Sequence, residues 1–499
     1  MAHTTAPFLD ARVAAGDGAR VAIETPDARV TYAELTDLAN RTGNALREMG
    51  AEPEQRVAML LADGVDWAAT FFGALRIGAV ALPLNTRLAP AEWADMLADS
   101  RAKVLVADAG LARPLLDHGH RFPHLRVIVA SSSLEQIRAS VSPDLDPEPV
   151  TPDDMAFWLY TSGTTGGPKA AVHLHRDLLA CRHYGADVLG VGPDDRVFAT
   201  SKLFFAYALG TALLIPLFAG ARTCLHPAWG DPDVVREVMR GFAPTLFFSV
   251  PTFYARLLRA DLPRDTFGSV RVAVSAGERL PPAVYWAWRE RFGVEILDGL
   301  GATETVFMVL SNRPGASRPG SAGTPVPGTD IRLLDDAGRD VPDGAPGVLH
   351  VRTPSASPWY WRRAEPSCRT FVGEWLRTGD VMTRDADGFH HHAGREDDFF
   401  KVAGLWVAPG TVEAALLGHP RVAEAGVVGA EEASGLVKPF AFVVAKDGGE
   451  GLVDELARLA AETLETHERP KRIVLVPELP RTATGKLQRF RLRELTASA

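Results

Sequence analysis

The sequence predicts an α/β protein, with a large N-terminal domain of sheets and helices that ends in a small β subdomain, followed by a small α+β C-terminal domain. Three observations predict it. Between residues 20 and 130, and again from 155 to about 310, short apolar runs alternate with amphipathic segments, the pattern of a largely parallel sheet. Between about 312 and 393, Pro and Gly recur among short strands. At 499 residues the chain exceeds what one small core can hold, so it should divide.

In the first stretch, 57–61, 80–84 and 103–107 are expected strands, and 66–76 and 89–99 expected helices, the former carrying Trp67, Phe71, Phe72 and Leu75. Residues 131–152 are rich in Ser, Pro and Asp and read as a connector. The pattern resumes with a buried strand at 155–160 and further strands at 246–250, 270–274 and 294–297. Short strands at 331–334 and 348–351 flank turns such as Asp335-Asp336-Ala337-Gly338. The C-terminal part offers a helix at 411–417, strands at 423–428 and 439–444, a helix at 453–467 and a strand at 472–476. The domains are therefore set at 1–393 (with the β-rich subdomain at about 312–393) and 399–499, joined by a charged, glycine-flanked hinge at 394–398.

Composition narrows the function. A net charge of −9 without any Lys/Arg-dense run disfavours a nucleic-acid binder. Three widely spaced cysteines give no disulfide framework and suit a reducing compartment. No signal peptide is read in residues 1–10, and no apolar run approaches a membrane span. The expectation is a cytoplasmic protein.

The stretch Tyr160-Thr161-Ser162-Gly163-Thr164-Thr165-Gly166-Gly167-Pro168-Lys169 concentrates hydroxyls, flexible backbone and one cation. Its glycines let the chain approach a ligand, and its N–H groups can converge on an anion. A polyphosphate is the natural guest. It is no Walker loop: Pro168 stands where the second glycine belongs, and Ala170 follows Lys169. The plain alternative is a surface turn.

Four further stretches carry chemistry. Asp298-Gly299-Leu300-Gly301-Ala302-Thr303-Glu304 ends in a carboxylate which, beside phosphates, needs a divalent cation. Thr378-Gly379-Asp380 places a carboxylate after a tight turn, suited to ribose hydroxyls. Gly394 to Lys401 is the hinge stretch, and Thr482-Ala483-Thr484-Gly485-Lys486 puts a lysine on a loop near the C-terminus.

In order and spacing these stretches resemble the acyl-adenylate-forming superfamily of acyl- and aryl-CoA ligases, adenylation domains and luciferases. The resemblance spans nearly the whole chain. It implies a mobile C-terminal domain and a reaction in which a carboxylate attacks the α-phosphorus of ATP, pyrophosphate leaves, and a thiol takes the acyl group. By the resemblance, Thr161, Ser162, Gly163, Thr164, Thr165 and Lys169 would hold the ATP phosphates. Gly277 and Glu278 would lie along the adenine, with Asp298 near its amino group and Gly299 in the same nucleotide site, and Asp380 and Arg395 would bind the ribose. Thr303 would touch the α-phosphate and Glu304 would hold Mg²⁺. Lys486 would be the catalytic lysine of adenylation and Asp397 the hinge. Gly404 and Trp406 would line the path of the CoA arm.

The segment Lys202-Leu203-Phe204-Phe205-Ala206-Tyr207-Ala208-Leu209-Gly210 resembles the pocket segment of benzoate-type aryl-CoA ligases. Ala206, Tyr207, Leu300, Gly301 and Phe307 are the expected acid pocket. An aromatic strip gives a ring flat faces to stack on. Two positions depart from the benzoate pattern. Phe307 stands where a histidine is frequent, making the pocket more apolar, and Ala170 stands where a glycine commonly follows the loop lysine. His390-His391-His392 does not read as a metal site, because neighbours on a strand face opposite ways; His173 and His175 read as structural.

The expected activity is ATP-dependent conversion of a benzoate-like acid to its acyl-adenylate and then to an aryl-CoA thioester, with ATP, Mg²⁺ and CoA required. The alternative is an aryl-acid adenylating enzyme serving a carrier protein or another nucleophile. Expected partners are the small acid, ATP and CoA, with a homodimer allowed and neither nucleic acid nor membrane. A nucleotide-binding regulatory protein on an inactive scaffold is disfavoured by the presence of Lys169, Glu304, Asp380 and Lys486.

Overall fold

The computed structural model describes residues 3–161, 168–403, 405–431, 436–481 and 487–496. The chain forms two compact units, one of 1–331 with 351–376, the other of 332–350 with 377–499. These units cut across the β-rich stretch 312–393 of the sequence reading; the border at 393 and the hinge at 394–398 stay proposals.

The first unit is built on two sheets. In the six-stranded sheet the order is Val127–Ala130, Val104–Ala107, Arg56–Leu60, Val80–Pro83, Met155–Thr161, Lys169–Leu174. Its first five strands are parallel and the last antiparallel. Val104–Ala107 is buried along its whole length, as parallel strands covered on both faces must be, and its unbroken apolar run follows from that. Helix Val65–Arg76 packs on this sheet and brings Trp67, Phe71 and Phe72 into the core with Phe157. Helix Tyr32–Glu48 begins with a capping box between Thr31 and Glu34, which satisfies two N–H groups of its first turn.

The nine-stranded sheet runs Thr324–Pro325, Met308–Ser311, Ile296–Gly301, Val272–Ser275, Leu246–Ser249, Arg196–Ala199, Arg222–Cys224, Val21–Glu24, Arg29–Thr31. Its central strands are parallel, and Ser249 pairs with Ser275, which pairs with Asp298. The carboxyl ends of two strands are thus level with Asp298 in the third, the place where open α/β sheets bind ligands. The expected connector at 131–152 contains a short helix, Leu134–Ala139. Arg138 anchors it by donating to Thr42 Oγ1 and Asp66 Oδ1, tertiary bonds that composition could not reveal.

In the second unit a three-stranded sheet, Val422–Glu431, Val437–Ala445 and Arg472–Leu475, carries helices Pro409–Leu417 and Leu452–Thr463 over a core that includes Val412, Leu416, Val427, Ala441, Val443 and Leu456. The second helix stops at Thr463, before the expected 467. Strand Phe400–Val402 pairs with Leu405–Val407 in a separate ribbon. Among the described residues, no helix is long and apolar enough to cross a membrane.

Candidate active site

Asp298 is the last residue of its strand to pair with the parallel neighbour, level with Ser275, and is 6% exposed. Its Oδ2 accepts from the Leu280 N–H at 3.3 Å, and its carbonyl accepts from Asn312 Nδ2 at 2.9 Å. Among the described residues Oδ1 is buried without a hydrogen-bond partner, although Ser275 and the Gly299 N–H favour the ionised form. Burial pushes the carboxyl up to about 7. A buried acceptor without a donor is costly unless a ligand supplies one, and a purine amino group fits that need. Gly277 follows the neighbouring strand end with φ of +90° and is exposed, with Glu278 half-buried beside it.

The expected phosphate grip is built on a hairpin. Thr161 closes one strand and lies opposite Lys169, which opens the next. Ser162, Gly163, Thr164 and Thr165, between them, lie outside the described residues. Lys169 Nζ stands 5.5 Å from the centre of the Tyr360 ring, and the Tyr360 hydroxyl donates to Glu304 Oε1 at 2.6 Å. The Thr303 carbonyl accepts from His173 Nε2 at 2.9 Å. His173 is fully buried, stacks on Phe157, and its Nδ1 is 2.9 Å from Asp177 Oδ2. His173 from the hairpin and Tyr360 from the 359–361 segment thus hold Thr303 and Glu304 on the side of Lys169. Among the described residues no cluster of three His, Cys, Asp or Glu could hold a metal by itself. A lone Glu304 carboxylate still fits Mg²⁺, which takes one or two carboxylates and completes its shell with water and substrate phosphates.

The expected acid pocket follows. Tyr207 donates its hydroxyl to the Ser249 and Val274 carbonyls, at 3.2 and 3.0 Å. The hydroxyl is therefore committed to the strand ends, and the ring is what remains for a ligand. Ala206 is buried; Leu300 is half-buried and Gly301 exposed. A Cβ on Gly301 would lie 2.8 Å from the Phe307 carbonyl oxygen, so its own hairpin already demands glycine there. Phe307 is 6% exposed, and its ring would meet a Cβ on Gly210 at 3.0 Å. That glycine sits in a π-helical turn, Leu209–Leu214, a widening common at functional sites. Upstream, Lys202 is buried and donates to the His226 and Ala228 carbonyls at 2.6 and 2.5 Å. Its partner Asp63, 3.9 Å away, accepts from the Leu203 N–H and is pushed up to about 6 by burial, against the pull of Lys202.

In the second unit Asp380 lies directly across an antiparallel ladder from Arg395. Its Oδ1 accepts from Arg395 Nη1 at 3.0 Å and from His392 Nε2 at 3.1 Å. Burial would raise this carboxyl, yet Arg395 and His392 hold it well below the usual carboxylate range. A Cβ on Gly379 (φ +74°) would meet Arg395 Nη2 at 3.3 Å, so glycine here permits both the turn and the approach of the guanidinium. The Thr378 hydroxyl accepts from the Asp380 N–H and donates to the Leu349 carbonyl.

Trp406 is 53% exposed, with Lys401 Nζ 4.5 Å from its ring centre. Near it a groove of about 590 Å³ is lined by Leu405, Lys438, His467, Arg469 and Lys471 among others. Asp397 lies in a single turn, Glu396–Asp398, and its carbonyl accepts from Arg493. Asp398 is bound by Arg489, which also grips Glu413 with two bonds of 2.6 and 2.8 Å. Gly404 and Lys486 lie outside the described residues.

Sequence reasoning missed Tyr360; it read His173 as structural and rejected a metal site at His390-His391-His392 without assigning His392 a partner. His392 was legible only as one of three adjacent histidines, with no sign of which would face Asp380.

The AMP-binding enzyme family matches residues 10–361, and the AMP-binding enzyme C-terminal domain matches 411–486. A 4-hydroxybenzoate–CoA/benzoate–CoA ligase of Rhodopseudomonas palustris is 40% identical over 98% of this chain and 93% of its own. A benzoate–CoA ligase of Thauera aromatica is 41% identical over 96% and 93%. The crystal structure of the anthranilate CoA ligase AuaEII with anthranoyl-AMP matches with a TM-score of 0.92 and 37% identity, covering 100% of this chain and 98% of that one. The chain belongs to the AMP-binding enzyme family.

Proposed function

We propose that this protein is an AMP-forming acid–thiol ligase that activates an aromatic carboxylic acid with ATP and passes the acyl group to CoA. The observation that carries the reading is the pairing of an aryl wall and a purine acceptor at one end of the parallel strands of a single sheet. The Tyr207 hydroxyl ties its ring to Val274 on the strand next to Asp298 and to Ser249 on the strand beyond, and among the described residues Asp298 keeps a buried acceptor without a donor. Kinship over nearly the full chain to benzoate- and hydroxybenzoate–CoA ligases supports it.

In this reading the acid's carboxylate oxygen bonds to the α-phosphorus as the bond to pyrophosphate breaks. The CoA sulfur then bonds to the acyl carbon and AMP leaves. Lys169, Thr303 and the 162–165 loop grip the phosphates, Lys486 steadies the charge gathering where two anions meet, and Asp380 with Arg395 holds the ribose. Glu304 is the protein ligand for Mg²⁺, which when bound would neutralise phosphate charge. Asp397 is the hinge between the two half-reactions. Trp406, the 404 position and the basic groove beside Leu405 suit the phosphates and thin arm of CoA better than the surface of a carrier protein.

A pyrophosphate-release screen over substituted benzoates, cinnamates and heteroaryl acids, with and without CoA, tests this. Acid-dependent release with CoA-dependent turnover is the expected result. Release that turns over only with a carrier protein would replace CoA as acceptor, and no release with any acid would end the reading.

A further inference from the structure

Tyr360 lies in none of the stretches that the sequence marks as chemical. It is 6% exposed and firmly placed. It bridges to Ala171, its N–H donates to Ser367 Oγ at 3.0 Å, and its ring packs on Phe371 at 5.0 Å. The residues either side bind the hairpin strand: Trp361 N–H donates to the Ala170 carbonyl and Val172 N–H to the Trp359 carbonyl. The same segment holds the backbone around Glu304, through the Ser357 N–H to the Glu304 carbonyl at 2.7 Å and Ser355 Oγ to the Thr305 carbonyl at 2.6 Å.

From this fixed position Tyr360 meets two groups of opposite charge. Its hydroxyl donates to Glu304 Oε1 at 2.6 Å, and its ring faces Lys169 Nζ at 5.5 Å. A hydroxyl–carboxylate bond of that length is among the stronger neutral-to-ionic kinds. It occupies one lone pair of one oxygen, fixes the carboxylate's rotation and leaves Oε2 available to a cation. An aromatic face within about 6 Å attracts an ammonium without competing for its protons.

We infer that Tyr360 is a positioning residue: it orients Glu304 for the divalent cation and backs Lys169 toward the phosphates, so that one side chain sets the spacing of the anionic and cationic grips. The inference rests on the reading of Glu304 as the Mg²⁺ ligand.

The test compares Tyr360→Phe, Tyr360→Leu and Glu304→Gln in the full-length protein. The readout is Mn²⁺ binding by electron paramagnetic resonance in the presence of α,β-methylene-ATP, with melting temperature as a check on folding. Tyr360→Phe keeps the ring and loses the donor; it should weaken Mn²⁺ binding about tenfold at an unchanged melting temperature, with nucleotide affinity preserved. Tyr360→Leu should lower affinity for the metal-free nucleotide as well. If Glu304→Gln weakens Mn²⁺ binding and Tyr360→Phe does not, the positioning role is overturned while the role of Glu304 stands. If Glu304→Gln leaves Mn²⁺ binding intact, the metal reading fails and takes the inference with it.

Discussion

Replacing Asp298 with Asn should remove a pH dependence from the folded protein. Burial raises this carboxyl from 3.8 to about 7, a rise of about three units. At 1.36 kcal/mol per unit, keeping it ionised costs the fold at most about 4 kcal/mol. Because the folded state holds this proton more tightly than the unfolded chain, unfolding free energy falls as pH rises from about 4 to about 7. The penalty is absent at the acidic end and complete above the folded value. Asp298→Asn lacks it, so the variant should gain on the wild type across that window and exceed it at pH 8 by a few kcal/mol in urea unfolding. A second arm uses AMP. An amino donor arriving at Oδ1 favours the carboxylate, so binding near pH 6.5 should release protons, read as a buffer-dependent calorimetric enthalpy. The variant should show no such dependence. Parallel stability curves for the two proteins between pH 5.5 and 8 would refute the account of Asp298.

Lys202→Met strands Asp63 and two carbonyls, and should cost about 3–5 kcal/mol in urea unfolding while raising KM for the acid, since Leu203 to Tyr207 follow directly; a change under 1 kcal/mol would show that the pair is dispensable. Lys486→Ala should nearly abolish adenylation yet leave thioester formation from supplied aryl-adenylate largely intact, and equal loss of both steps would contradict its role. His392→Phe removes a donor to the Asp380 carboxylate and should raise KM for ATP about tenfold, as for loss of a bond to a charged group, with a smaller effect on kcat; an unchanged KM would leave His392 without a part in nucleotide binding.

The parallel strands were legible because burial on both faces forces unbroken apolar runs, as in Val104–Ala107. The helix at Leu134–Ala139 was not, because its stability comes from Arg138 reaching Thr42 and Asp66, 96 and 72 residues away. The same division holds in the site. Asp298, Thr303, Glu304 and Asp380 stand in short stretches that are modest alone and are singled out because their order and spacing resemble a known superfamily. Tyr360 is 56 residues from Glu304 in a stretch without period, and only the fold of 359–361 against the hairpin brings it there. Phe307 was legible as an apolar replacement, but its contact with Gly210 depends on a π-helical turn that no pattern of hydrophobicity announces.

The grip of Arg489 on Glu413 and Asp398 bears on the hinge proposed at Asp397. Asp398 is bound to Arg489 of the helix Arg489–Thr496, which in turn holds Glu413 of helix Pro409–Leu417, so in the proposed swivel it would travel as cargo with that body. Any fulcrum is thereby pushed back to the peptide units on the N-terminal side of Asp398, which confines the turning torsions to Asp397 and the residues just before it.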